Sequence, residues 1–279
     1  MSGPQCCSNP PSLNPTSGAG HVEQLGGLST YVSGAPDSKN AVIFITDVYG
    51  TDPFDSIHCF IVYRFCSVLF SRPSLLMILL WLAVFAFTFG YEAPLLRKLA
   101  DKVAAAGFFV VAPDFFKGDP FVANDPNRPI KEWLQEHGPE KSFDDGKAVV
   151  EALKSKGISA IGAVGICWGA KVVVALAKVE LIQAAVLLHP SLVTVDDIKE
   201  VKAHISVLGA EIDHMSPPEL LKQFEEALAA KPEVDAFVKI FPKVSHGWTV
   251  RYNVEDEEAV KCADEAHGDL LAWFTKYLK

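Results

Sequence analysis

The sequence predicts a doubly wound α/β fold, with a mostly parallel sheet flanked by helices on both faces. Three observations carry this. Short β-branched and aliphatic runs alternate with amphipathic stretches along nearly the whole chain. The runs are continuously apolar, as in strands covered on both faces, rather than alternating in and out. No internal repeat interrupts the alternation, and 279 residues suffice for one domain with a substantial core.

Taken in order, Ala41–Thr46, Phe108–Ala112, Ile161–Gly165, Ala184–His189, Ile205–Ala210 and Phe237–Phe241 read as buried strands. Between and after them, helices are expected at about Ala93–Ala106, Phe143–Lys156, Trp168–Lys178, Pro217–Ala230 and Glu257–Leu278. Gly107 stops the first helix, and Pro217-Pro218 opens the fourth where a missing N–H costs nothing.

Residues 1–24 read as a disordered tail, rich in Pro, Ser, Gly and Asn, with neither a basic start nor an apolar core. The folded domain is expected over 25–279. A net charge of −9 argues against nucleic acid or an anionic membrane surface as a partner. The six cysteines show no framework spacing, which favours a reducing, cytoplasmic setting. Adjacent Cys6 and Cys7 read as incidental. No CxxC pair or His-x-x-x-His pattern suggests a metal site, and Cys262 and His267 fall on different helix faces.

One segment breaks the rhythm. Thr51–Gly90 holds seven of the eighteen Phe and no Lys, and Leu75–Tyr91 carries no charge at all. Three readings compete for it. Leu75–Tyr91 is a borderline membrane span that would make the protein membrane-associated. Alternatively, Thr51–Gly90 is an apolar insertion packed on the domain. The favoured reading is a translated intron retained in frame. Removing it joins Asp47-Val48-Tyr49-Gly50 to Tyr91-Glu92-Ala93-Pro94, a connection of ordinary strand-to-helix length. A segment present in the folded protein would also crowd the loop after Ala41–Thr46, leaving a functionally impaired protein as an alternative.

The chemistry centres on Gly165-Ile166-Cys167-Trp168-Gly169, where an apolar run meets a helix-like segment. This is the strand–turn–helix setting of a nucleophile elbow, with Cys in the usual place of Ser. Such a turn lifts the nucleophile above the sheet and aims the next N–H, that of Trp168, at a developing oxyanion. A buried structural Cys is the rival reading of these five residues. A nucleophile needs a base, and the base an orienting acid, each on a loop after a later strand. Asp213 follows Ile205–Ala210 and His246 follows Phe237–Phe241, in the required order. Alone, Asp213 could be a helix N-cap, and Glu211 or His214 could replace it. His189 reads as a substrate contact or a packing residue. The joint order of elbow, acid loop and His-Gly loop favours the triad over coincidence.

With these residues the chain resembles the dienelactone hydrolases, a branch of the α/β-hydrolases with a Cys-His-Asp triad. Asp47-Val48-Tyr49-Gly50 and Val111-Ala112-Pro113-Asp114-Phe115-Phe116 extend the likeness, which runs from Leu25 to Lys279 without Thr51–Gly90. The N-terminal Met-Ser-Gly-Pro-Gln-Cys-Cys and the body look most like plant cytosolic members. The resemblance implies Cys167 as nucleophile, His246 as base, Asp213 as its orienting acid and the Val48 N–H as second oxyanion donor. It also implies a thiol-activating role for the acidic residue before that donor. Here that residue is Asp47, where bacterial members carry a Glu. Arg251 is the nearest match to the family's substrate-carboxylate Arg, one residue further from the His. The implied reaction is hydrolysis of a small ester or lactone with neither metal nor cofactor. Some plant relatives carry a β-glucanase label, and glucan hydrolysis is the weaker enzymatic alternative, because glycoside cleavage calls for two carboxylates. Asp114 and Glu92 are the acids that could be recruited to it. Oligomeric state is not readable.

Overall fold

The computed structural model describes residues 17–49, 93–123 and 125–279. The insertion expected at 51–90 lies outside them, as does the tail up to residue 16. Eight strands form one sheet in the order β1-β2-β4-β3-β5-β6-β7-β8. They are β1 (His21–Leu25), β2 (Leu28–Ser33), β3 (Asn40–Ile45), β4 (Phe109–Pro113), β5 (Ala160–Ile166), β6 (Ala184–Leu188), β7 (His204–Ile212) and β8 (Ala236–Ser245). Pairing is antiparallel for β1–β2 and β2–β4 and parallel from β4 through β8.

The helices are α1 (Pro94–Ala105), α2 (Ile130–Glu136), α3 (Phe143–Ser155), α4 (Gly169–Lys178), α5 (Val195–Lys199), α6 (Pro218–Ala229) and α7 (Glu257–Leu278). Each expected helix is present within a residue or two of its expected bounds. Pro94 and Pro218 stand in the first turns of α1 and α6, and Asp256 caps α7 by accepting from Glu258 N and Ala259 N.

The expected tail boundary needs correction. β1 begins at His21, inside the span read as tail, because Gly26 and Gly27 make a tight hairpin that pairs Leu25 with Leu28. Both glycines have positive φ, which a two-residue hairpin turn of this hand requires.

The parity of each buried strand sorts its side chains onto two cores. Ile43, Ile45, Val111, Ala163, Leu187 and Val207 face α3, α4 and α6. Val42, Phe44, Val110, Val164, Val186 and Leu188 face α1 and α7. Both faces are therefore dry, and each fully buried aliphatic side chain contributes roughly 1.5–3 kcal/mol. No helix among the described residues is long and apolar enough to cross a membrane, and the candidate span 75–91 lies outside them.

Candidate active site

The carboxyl ends of the parallel strands collect the candidate residues. β5 ends at Ile166, and the chain turns through Cys167 into α4. Cys167 has φ of +52°, a left-handed conformation that costs a non-glycine residue about 1–3 kcal/mol. The glycines at either side make the turn possible. A Cβ on Gly169 would stand 2.1 Å from the Ile45 carbonyl oxygen, and one on Gly165 would stand 2.5 Å from Ala170 Cα. The turn is tied down by Cys167 N donating to Leu188 O at 3.1 Å and by Gly169 N donating to Thr46 O at 3.1 Å.

The last bond joins the elbow to the end of β3. Ile45 pairs with Gly165, so Thr46-Asp47-Val48 emerges beside Ile166-Cys167-Trp168. Val48 and Trp168, the two expected oxyanion donors, therefore stand on the loops that leave adjacent strands at the same end of the sheet. The Trp168 side chain is anchored by its Nε1 donating to His137 O at 2.9 Å and by edge packing on Phe116.

β7 delivers Asp213 and β8 delivers His246. His246 Nδ1 lies 2.8 Å from Asp213 Oδ2, with both side chains buried. Asp213 Oδ1 accepts from Met215 N and Ser216 N, so the carboxylate is held by its own loop as well. Glu211 and His214, the possible substitutes, are exposed, and Glu211 accepts from Lys243 N instead. The second ring nitrogen of His246, Nε2, is buried without a partner in hydrogen-bond geometry. Cys167 also acts on the ring, by charge and as a hydrogen-bonding group. Burial disfavours the imidazolium. The negative charge of Cys167 and the Asp213 hydrogen bond more than offset this and raise the pKa of His246 to about 9. Gly247 has φ of +94° and lies where a Cβ would stand 2.3 Å from Arg251 Nη2.

Arg251 is buried, with Nη1 3.3 Å from Asp47 Oδ2 and the guanidinium 5.1 Å above the Tyr49 ring. Burial raises the pKa of Asp47, Arg251 opposes that rise, and the Cys167 charge adds to it. The structure thus brings together Asp47, Val48, Cys167, Trp168, Asp213, His246 and Arg251 at one edge of the sheet. His189, read as contact or packing, packs edge-on against His246 with ring centroids 4.9 Å apart. Its Nε2 lies 2.9 Å from Thr249 Oγ1. Burial, then the charges of His246 and Arg251, push its pKa well below the usual imidazole range, so it is neutral.

Ser191, whose Oγ lies 3.5 Å from Cys167 Sγ, and Thr249 also stand at the site. No spacing rule points to either; their position depends on how separate loops converge. Asp114, the acid considered for glycoside chemistry, spends its carboxylate on Phe116 N and Gly118 N of its own turn, and Glu92 lies outside the described residues. Asp119, Glu136 and His137 form the one cluster of potential metal ligands among the described residues. Arg128 already bridges both carboxylates there.

The model of the dienelactone hydrolase family matches residues 80–278, opening within the segment expected to be foreign to the fold. A maize protein named endo-1,3;1,4-beta-D-glucanase is 38% identical over 237 residues, which is 82% of this chain and 63% of that protein. A carboxymethylenebutenolidase homolog of Xenopus tropicalis is 32% identical over 194 residues, covering 68% of this chain and 79% of its own length. Among solved structures, a putative dienelactone hydrolase from Klebsiella pneumoniae shares the α/β-hydrolase fold. It has a TM-score of 0.59, covers 90% of this chain and 93% of its own, and is 19% identical. Sequence and architecture agree, and the chain belongs to the dienelactone hydrolase family.

Proposed function

We propose that the protein hydrolyses a small ester or lactone through a Cys167–His246–Asp213 triad and an acyl-enzyme. The observation that carries this is the buried Asp213–His246 hydrogen bond beside a Cys167 held in a left-handed turn. In the proposed reaction the Cys167 thiolate attacks the carbonyl carbon. The N–H groups of Trp168 and Val48 hold the oxyanion, each contributing about 3 kcal/mol in comparable sites. His246, protonated in the resting couple, gives its proton to the leaving alkoxide. It then takes one from the water that cleaves the thioester, the acid product leaves, and the thiolate and protonated His246 are restored. Asp213 fixes the ring and stabilises its positive form. Asp47 and Arg251 form the charged wall beside the thiol, with Arg251 the candidate contact for an anionic substrate group. The reaction asks for no metal or organic cofactor, and the acidic composition fits a cytoplasmic enzyme of small molecules.

The thiol and imidazole favour acyl transfer over glycan cleavage, although the maize relative bears a glucanase name. Glycoside hydrolysis calls on an acid and a second carboxylate across the bond. Asp114, the described candidate for that work, is committed to a backbone turn.

The test is turnover of p-nitrophenyl acetate and a lactone panel by the full chain, by Cys167→Ala and by a Thr51–Gly90 deletion. Cys167→Ala is expected to lose activity at least 1,000-fold, the order seen when a nucleophile is removed. Equal turnover by that variant and its parent would sink the triad. Activity confined to the deletion form would show that the segment disables the site.

A further inference from the structure

The loop after β6 reaches all three members of the proposed triad. Ser191 N donates to Cys167 O at 3.0 Å, and Ser191 Oγ lies 3.5 Å from Cys167 Sγ. His189 packs its ring against His246. Pro190 O accepts from Ser216 Oγ, while Ser216 N donates to Asp213 Oδ1 at 3.2 Å. The loop is held in an uncomfortable shape, with φ of +35° at His189 and +63° at Leu192. Non-glycine residues keep such angles where the surroundings over-determine them.

We propose that Ser191 is a further catalytic residue, its buried hydroxyl donating a hydrogen bond to the Cys167 sulfur and stabilising the resting thiolate. The inference rests on Cys167 being the nucleophile. A thiolate carries no proton, so at this contact the hydroxyl is the donor, and no covalent change is involved. The hydrogen bond matters most while the sulfur is anionic. Once the thioester forms, the sulfur is a poor acceptor and the contact weakens. Ser191 therefore raises the thiolate fraction at neutral pH at some cost in intrinsic nucleophilicity, a trade that favours reaction when the thiol would otherwise be protonated. The ionisable groups that act on this sulfur are Asp47 after β3 and His246 after β8, with Arg251 paired to Asp47, and with His189 and Asp213 against His246. Ser191 adds a neutral donor to that ring, one whose effect does not vanish when a neighbour titrates.

The experiment uses the full chain. Iodoacetamide alkylation of Cys167 is followed by mass spectrometry from pH 5 to 10, alongside p-nitrophenyl acetate kinetics, in Ser191→Ala, Ser191→Thr and Cys167→Ala. Ser191→Ala is expected to move the alkylation profile up by about one pH unit. Cys167 would then be labelled about tenfold more slowly at pH 6, with kcat/KM reduced about tenfold. Ser191→Thr, which keeps the hydroxyl, is expected to restore the parent profile. Should Ser191→Ala not fold, Ser191→Gly removes the same hydroxyl without added volume and is expected to show the same shift. Superimposable profiles for the parent and a folded hydroxyl-less variant would overturn the role of Ser191. If Cys167→Ala is inactive in that case, the triad stands and Ser191 alone is excluded. If Cys167→Ala keeps activity, the nucleophile assignment itself fails.

Discussion

Asp47 Oδ2 lies 3.3 Å from Arg251 Nη1, a buried ion pair joining the end of β3 to the loop that carries His246. It ties the loop after β3 to the loop after β8 beside Cys167. Breaking one partner of a buried pair leaves a lone charge and costs about 3–5 kcal/mol, whereas the intact pair is of modest net worth. Arg251→Met is therefore expected to destabilise the protein by about 3–5 kcal/mol. It is also expected to lower kcat/KM by more than any fall in stability accounts for. Urea unfolding and steady-state kinetics on the same preparations check both. A stable, fully active Arg251→Met would show the pair to be dispensable to the site.

The second prediction concerns pH. The His246 pKa is raised to about 9, so the ring keeps its proton up to about that value. The sign follows from the direction of the shift. A raised base pKa stabilises the protonated ring below it, and that stabilisation is lost as pH rises through about 9. The kcat/KM profile should hold through neutrality and fall on the alkaline side near pH 9. His246→Asn should abolish that limb with most of the activity. An alkaline limb near the ordinary imidazole value would mean that the ring does not sit against a thiolate.

Much of this could be read before the structure, and what could not has identifiable causes. The parallel strands announced themselves because both faces are dry, so hydrophobic run length alone marks them. The antiparallel edge did not, since β1 is largely exposed and its residues His21–Leu25 lack an apolar run. The signal was present in Gly26-Gly27 between two short segments, a two-residue hairpin mark. Helix α5, at five residues, is too short to show a periodicity. Its capping box, with Thr194 and Asp197 bonded reciprocally, was legible. Cys167, Asp213 and His246 could be found because each follows a strand. Ser191 could not, because its place beside the sulfur depends on the twist between β5 and β6, and sequence spacing does not carry that twist.

Glycine requirements give a paired prediction. Gly169 approaches the Ile45 carbonyl so closely that a Cβ would sit 2.1 Å from a backbone oxygen. Gly268, in the middle of α7, has nothing within 4 Å of the same atom. Gly169→Ala should cost about 3 kcal/mol or more and displace the elbow, since neither backbone can yield cheaply. Gly268→Ala should stabilise by about 0.5–1 kcal/mol through helix propensity alone. Denaturant midpoints measured side by side decide it, and comparable effects in both variants would count against the tight elbow.

A last prediction follows from the far end of the base-side loop. His267 Nε2 lies 2.9 Å from Thr249 O, while Thr249 Oγ1 meets His189, which packs on His246. Because a carbonyl only accepts, His267 donates through Nε2 to Thr249 O. Burial is the main reason that its pKa falls to about 4. The unfolded chain takes up a proton on this ring below its ordinary value, whereas the folded protein refuses it until about 4. Its contribution is therefore complete above the ordinary imidazole range and is lost as pH falls towards about 4. The shift corresponds to about 3 kcal/mol of acid sensitivity from this one group. His267→Gln keeps an N–H for the Thr249 carbonyl and does not titrate. Between pH 7 and 4 the variant should lose about 3 kcal/mol less stability than the parent, whatever their difference at neutral pH. Parallel stability curves from urea unfolding across that range would mean that His267 does not hold the loop as a neutral donor.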